Sequence, residues 1–78
     1  ATRNFIARQA VKQAMSTGDQ GDWDKMQLAL ASTQNPRSEI EEAAKDMIQF
    51  GLPANERALS RLSKRERALF EAQQMKKP

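Results

Sequence analysis

Apolar residues recur three and four positions apart along most of this chain, the spacing that places side chains on one face of an α-helix. Four such segments follow one another, and the three Gly and three Pro fall where these segments begin or end. The pattern predicts an all-α fold, a compact bundle of four short helices. We expect residues 1–75 to form a single helical domain and residues 76–78 to be a frayed basic tail.

The first three segments each carry an apolar face and recognisable end signals. Gly18 and Gly51 are placed to end the first and third helices in the left-handed conformation. Residues 16–21 form a polar loop, after which Asp22 can cap the second helix. Asn35 followed by Pro36 is a start signal for the third helix, and Ser38 with Glu41 offers an alternative capping box two or three residues later. The residues predicted to face the core are Ile6, Ala7, Ala10, Val11, Ala14 and Met15, then Trp23, Met26, Leu30 and Thr33, then Ile40, Ala43, Ala44, Met47 and Phe50.

The last segment allows two interpretations. Asn55 can cap its start, and its apolar face consists of Leu59, Leu62, Leu69 and Phe70. Glu66 interrupts that face. In one interpretation the helix breaks near Ser63, because Ser63 and Glu66 have the spacing of a capping box. In the other, one helix runs through and Glu66 pairs with an Arg or Lys at the edge of the core. We favour the break.

The hydrophobic content is small for one folded domain. Leu, Ile, Val and Phe number 13 of 78 residues, and Met and Trp bring the large apolar side chains to eighteen. Full burial of each side chain contributes about 2 kcal/mol, while the ordering of the chain costs a similar or larger total free energy. We therefore expect a thin core and a marginally stable monomer, with a partner or self-association contributing to stability.

The residue types that are missing exclude most enzyme chemistry. The chain has no Cys and no His, so it lacks a thiol nucleophile, the usual general base near neutral pH and the commonest ligand of transition metals. We expect no catalytic residue, no cofactor and no metal site, and hence a protein that is not an enzyme. No apolar run approaches 18 residues and no secretory stretch is visible, so we expect no membrane span and a cytoplasmic location.

Charge is unevenly distributed along the chain. Residues 1–18 carry three positive and no negative charges, residues 19–51 carry a net −4, and residues 52–78 carry a net +4. The simplest interpretation is that oppositely charged segments lie side by side or face water. Two candidate interaction faces also follow. The basic face consists of Arg57, Arg61, Lys64, Arg65 and Arg67, and the acidic face, expected on the outer side of its helix, consists of Glu39, Glu42 and Asp46.

Trp23 is the only tryptophan, and two roles stay open for it. A single Trp in a small protein usually anchors the core. Trp23 also follows a loop that contains two Gly, and Trp and Met are enriched at protein interfaces. It is therefore the candidate hot spot of a contact surface.

Two short stretches resemble known helical families. Residues 62–70 (LSKRERALF) are similar to the opening of LuxR-type helix-turn-helix domains, and residues 21–30 (GDWDKMQLAL) are similar to the first helix of tetratricopeptide-like repeats. Only eight residues follow the first stretch, and the second does not recur after the 34-residue period of such repeats. We interpret the first as a capping box and the second as a core helix anchored by Trp23.

These observations favour a small interaction protein. We expect an adaptor, inhibitor or assembly factor that docks on a larger protein partner, of the kind found as accessory proteins of phages, plasmids or bacteria. The alternative is a small regulator that binds the phosphates of DNA or RNA through the basic face, in which case its affinity falls steeply with salt. A third hypothesis, that the last helix docks on a membrane surface, is less favoured because that helix offers few bulky anchors.

Overall fold

The computed structural model describes the backbone of residues 2–75 and the side chains of residues 5–71, and this part of the chain contains no strand. Its helices are α1 (Thr2–Thr17), α2 (Gln20–Ala31), α3 (Pro36–Gln49), α4 (Glu56–Arg61) and α5 (Lys64–Met75). The all-α prediction is confirmed for this part. The predicted number of four helices is too low, because the last segment forms two helices. The predicted frayed tail, 76–78, lies outside the described residues. None of the described helices is both long enough and apolar enough to cross a membrane.

A two-residue turn joins α1 to α2 and packs them as antiparallel neighbours. α1 ends as predicted at Gly18, whose φ is +69° and whose N–H donates to the Ala14 carbonyl at 2.9 Å. The cap of α2 is Asp19, whose side chain accepts the Asp22 N–H at 3.3 Å. The prediction of Asp22 as the cap is therefore wrong. The loop is shorter than the sequence suggested, and Asp22 lies in the first turn of the helix.

Both predicted ends of α3 are confirmed. Asn35 caps the start by accepting a backbone N–H three residues along at 3.2 Å, and Pro36 is the first helical residue. At the other end Gly51 has a φ of +68°, and the Leu52 N–H donates to the Met47 carbonyl at 2.7 Å. This is the hydrogen-bond pattern of a Schellman motif, which satisfies carbonyls that the helix leaves without a partner.

The last segment breaks at the predicted capping box. Ser63 Oγ accepts the Glu66 N–H at 3.2 Å, and Glu66 Oε1 accepts the Ser63 N–H at 3.2 Å. Leu62, the residue before the box, has an extended backbone with φ −76° and ψ 154°. The chain therefore leaves the helix after Arg61 and begins α5 as a separate element.

Asn55 connects the start of α4 to the end of α1. Its side chain caps α4, as predicted, by accepting the Arg57 N–H at 2.9 Å. Its backbone N–H donates to the Met15 carbonyl at 2.7 Å. The same side chain lies against Gly18, where an added Cβ would overlap with it. One residue thus holds the end of α1, the loop before α4 and the first turn of α4 together.

All five helices contribute to one apolar core. Its buried residues are Ala7, Val11, Ala14 and Met15 from α1, Met26 and Leu30 from α2, Ile40, Ala43, Ala44 and Met47 from α3, Ala58 and Leu59 from α4, and Phe70 from α5. Five of these residues are Ala and three are Met. Small side chains bury little surface each, and the flexible Met side chains fill the gaps that remain. The core is as thin as the composition predicts.

Two residues predicted to face the core are exposed. Ile6 is 54% exposed and Phe50 is 68% exposed. Ala7 follows Ile6 by one position, about 100° around the helix, and takes the inner place. Phe50 follows the last turn of α3 as its cap, where helical spacing no longer sets the direction of a side chain.

Two glycine substitutions measure how much the contact with Asn55 adds to the cost of a side chain at a positive φ. Gly51 and Gly18 both end a helix, but only Gly18 lies against Asn55. Gly51→Ala should lower the free energy of unfolding by about 1 kcal/mol, because a positive φ disfavours a side chain while no atom lies within 4 Å of the added Cβ. Gly18→Ala should lower it by about 3 kcal/mol, since the added Cβ also displaces the Asn55 side chain from its cap. Urea denaturation followed by circular dichroism measures both losses. Equal losses would contradict the connection through Asn55.

Removing the Ser63 hydroxyl tests the break between α4 and α5. Ser63→Ala should lower the free energy of unfolding by about 1 kcal/mol, because the Glu66 N–H loses its acceptor. Ser60→Ala is the matched control, since the exposed Ser60 hydroxyl only donates to a carbonyl of its own helix at 2.8 Å. Its effect should stay within about 0.5 kcal/mol. If thermal denaturation gave the two variants the same stability, the capping box would not hold the break.

Candidate interaction site

A cleft of about 530 Å³ opens between α2, the first turns of α3 and the junction of α4 with α5. We call it the Trp23 cleft. The residues that line it are Trp23, Met26, Gln27, Leu30 and Ala31 from α2, Pro36, Arg37 and Ile40 from α3, and Arg61, Leu62, Ser63, Arg65, Glu66 and Leu69 from the α4–α5 region. Its volume is in the range of clefts that enclose a small ligand.

The floor of the Trp23 cleft is apolar. Met26, Leu30 and Ile40 belong to the buried core. Leu62 and Leu69 pack against that core while staying partly exposed. These side chains offer no hydrogen bond, and each Å² of apolar surface removed from water contributes about 25 cal/mol. A ligand that fits this floor therefore carries an apolar group.

Trp23 and Arg61 meet at the side of the cleft. The central carbon of the Arg61 guanidinium lies 5.6 Å from the centre of the Trp23 ring, within the range of a cation–π contact. Trp23 is partly exposed and also packs against the core. It therefore lies at the edge of the core and forms a wall of the cleft. Whether it is a binding hot spot stays a prediction.

Most of the charge around the Trp23 cleft is positive. Arg37 and Arg65 are exposed at its rim, and none of the ion pairs between side chains of residues 5–71 involves Arg37, Arg61 or Arg65. Glu66 is the one carboxylate in the lining, and its Oε1 accepts both the N–H and the hydroxyl of Ser63. Arg61 Nη1 is buried and donates to no acceptor in the described part of the chain. The cleft thus offers cations and an unused donor beside an apolar floor.

The helix break divides the predicted basic face. Arg61 and Arg65 line the Trp23 cleft. Arg57 and Lys64 are exposed and lie outside it. Arg67 Nε forms an exposed pair at 2.9 Å with a carboxylate one turn along α5. Arg57 and Arg61 lie one turn apart on α4, whereas Lys64 begins α5 after the break, so the three do not form the ridge of a single helix that the spacing predicts.

The predicted acidic face does not form a row facing water. Glu39 is only 5% exposed, and its Oε1 lies 3.4 Å from Arg8 Nη2. Asp46 Oδ2 lies 3.2 Å from Lys12 Nζ. Glu42 pairs only with a lysine of its own helix, at 3.4 Å. The outer position expected for Glu39 and Asp46 is therefore wrong, because this side of α3 turns towards α1, a segment with positive charges and no negative ones.

The two ion pairs between α1 and α3 confirm that oppositely charged segments lie side by side. Arg8 pairs with Glu39 and Lys12 pairs with Asp46, so the two helices run in the same direction along this contact. Two of the three carboxylates of the acidic face therefore pair across the contact between α1 and α3.

Three residues of the cleft, Gln27, Ala31 and Arg37, are not singled out by a sequence pattern. Gln27 lies one turn after Trp23 on α2, and this spacing is the signal that could have joined them. Arg37 directly follows Pro36 at the start of α3. A start signal shows where a helix begins, but it does not show which neighbour that end of the helix faces.

The side chains that line the Trp23 cleft are apolar, aromatic, cationic or uncharged and polar, with Glu66 as the one carboxylate. The chain contains five Ser and neither His nor Cys. Among the described residues no group of three or more acidic side chains is placed to hold a metal ion. What the Trp23 cleft offers is apolar contact, an aromatic face and charge-assisted hydrogen bonds from arginine.

Removing one carboxylate at a time tests the corrected position of the acidic face. Glu39→Gln should lower the free energy of unfolding by about 1–2 kcal/mol, because Glu39 is buried beside Arg8 and the guanidinium loses its counter-charge. Glu42→Gln is the control and should cost about 0.3 kcal/mol, since its pair is exposed and lies on one helix. Urea denaturation at fixed salt gives both values. Losses of equal size would contradict the burial of Glu39 and would indicate that it faces water, as first predicted.

Comparison of the chain with protein-family models, with curated proteins and with solved structures gives no match. Its family is therefore not assigned by similarity. What the Trp23 cleft does has to be inferred from its own geometry and charge.

Proposed function

We propose that this chain is a non-catalytic helical interaction module, an adaptor, inhibitor or assembly factor that binds a segment of a larger protein in the Trp23 cleft. One observation carries the proposal: the only Trp and three arginines outside the ion pairs surround an apolar floor in a cleft of about 530 Å³. Trp and Arg contribute most of the binding energy at many protein interfaces, especially around a desolvated centre.

The size of the cleft limits what enters it. A cleft of about 530 Å³ accepts a few side chains and not a folded domain, so the partner presents a helix or an extended segment with an apolar anchor. The walls come from three separate parts of the chain, α2, the start of α3 and the α4–α5 junction. A bound segment therefore contacts all three and stabilises the folded chain by mass action. This fits a module whose own core is thin.

Binding of nucleic acid is the second candidate. It is favoured by Lys64 and Arg65, which are exposed in the first turn of α5 next to Arg61. Phosphates attract such cations by the release of counterions. Single strands also need aromatic faces on which bases stack, and the floor of the cleft is aliphatic while Arg61 lies over the ring of Trp23. These features favour a protein partner.

Photo-crosslinking from the cleft tests the proposal. Benzoylphenylalanine in place of Gln27, which lines the cleft, should give one defined protein adduct in the cells that make this chain. The same group in place of Gln49, an equally exposed Gln at the far end of α3, should give no such adduct. Adding Trp23→Ala to the Gln27 variant should reduce the adduct about tenfold, because a central aromatic anchor is lost. Mass spectrometry identifies and quantifies the adducts.

Two outcomes would contradict the protein partner. An adduct that nuclease removes, and that disappears as salt rises from about 50 to 200 mM, would assign the second candidate. The same protein adduct from Gln27 and Gln49 would show contact without a preference for the cleft.

A further inference from the structure

We infer that the segment bound in the Trp23 cleft carries a carboxylate next to its apolar anchor, and that Arg61 is the residue that recognises this carboxylate. The inference rests on the proposed function and adds the chemistry of the partner. It starts from three features of one wall of the cleft: a buried donor, a guanidinium in cation–π contact with Trp23 and, among the described residues, a lining whose one carboxylate is already engaged.

The buried donor is Arg61 Nη1, which donates to no acceptor in the described part of the chain. A buried N–H without an acceptor is unfavourable, and this penalty is removed when the Arg61 side chain turns to meet an acceptor in the cleft. A guanidinium presents its N–H groups in a planar fork that matches the two oxygens of a carboxylate. The group that best satisfies Arg61 from outside is therefore a planar anion.

The Arg61 guanidinium lies beside Trp23. Its central carbon is 5.6 Å from the centre of the ring, within the range of a cation–π contact. An incoming carboxylate approaches the edge, where the N–H groups are. Because the indole already restricts the Arg61 side chain, less conformational freedom is lost when the carboxylate binds.

Within the described part of the chain, no carboxylate accepts a hydrogen bond from Arg61 Nη1. Glu66 is the only one in the lining, and it is engaged in the capping box with Ser63. Glu39 and Asp46 are engaged with α1. Residues 52–78 carry a net +4, so charge disfavours this segment as the occupant of a cleft lined with arginine. The charge of the cleft favours an acidic segment of another protein.

The apolar part of the occupant follows from the neighbours of Arg61. Leu62 and Leu69 line the same cleft and are partly exposed, so an apolar side chain close to the carboxylate buries them. Arg37 and Arg65 at the rim favour further negative charge on either side. The chemistry is that of an amphipathic acidic peptide, with Asp or Glu within one helical turn of Leu, Ile, Phe or Met.

Selection from random libraries tests this chemistry without a known partner. A display library of random peptides and a library of random single-stranded oligonucleotides are selected in parallel on the full chain. We expect the peptide library to yield binders with Asp or Glu within four positions of a large apolar residue. Fluorescence of Trp23, the only Trp, reports the affinity of each synthesised binder at its site.

Variants of two arginines on the same short helix supply the control. Arg61→Gln should weaken an acidic binder about tenfold, whereas Arg57→Gln, which removes the same charge at an exposed position outside the cleft, should weaken it less than about twofold. Changing the acidic residue of a Glu-containing peptide to Gln should lower its affinity for the wild type about tenfold. The same change should not lower its affinity for Arg61→Gln any further. Arg61→Lys keeps the charge but not the planar fork, so its loss of affinity should lie between those of Arg57→Gln and Arg61→Gln. Circular dichroism checks that each variant keeps its helices.

The outcomes separate the inference from the proposed function. Binders without acidic residues, or acidic binders weakened equally by Arg57→Gln and Arg61→Gln, would overturn the role of Arg61 and leave a peptide-binding cleft. Failure to select any peptide would overturn both. Oligonucleotide binders that need Arg61 would assign the cleft to phosphates, and a wild-type chain that sediments as a dimer through this cleft would assign it to a second copy. Either result would overturn the inference.

Discussion

The capping box between Ser63 and Glu66 is the interaction on which the rest of the candidate site depends. In a continuous helix Lys64 would follow Arg57 and Arg61 along one face, and Glu66 would fall among the apolar residues of the last segment. The box instead ends α4 at Arg61 and leaves Leu62 extended. The same contact engages the carboxylate of Glu66. One local motif thus creates a wall of the Trp23 cleft and leaves its arginines without a counter-charge from that wall.

Charge elsewhere in the fold leads to the same result. The carboxylates of α3 that face α1 pair with Arg8 and Lys12, so acidic and basic segments neutralise each other across one helix contact. The arginines of the cleft are left out of these pairs. The core also continues into the cleft, because Trp23, Leu62 and Leu69 pack against buried residues while staying partly exposed. A bound apolar group would therefore extend a core that is thin by composition.

The sequence predicts those features of this chain that depend on neighbouring residues. The left-handed ends at Gly18 and Gly51 and the start at Asn35 need only a few positions, and each is where the pattern indicates. Asp19 and Asp22 are both residues that can cap a helix, and only the length of the turn makes Asp19 the cap. The burial of Glu39 does not follow from the sequence, because helical spacing defines a face but not the neighbour that covers it. The cleft itself joins three elements, so no single stretch of sequence contains it.

The most direct test of this arrangement is nuclear magnetic resonance of the free chain. We expect extended ¹³Cα shifts at Leu62 and Ser63 between two helical stretches, together with nuclear Overhauser contacts from the Trp23 indole to the Arg61 side chain. Uninterrupted helical shifts from residue 56 to residue 71, with no contact between the indole and Arg61, would contradict the Trp23 cleft and every function inferred from it.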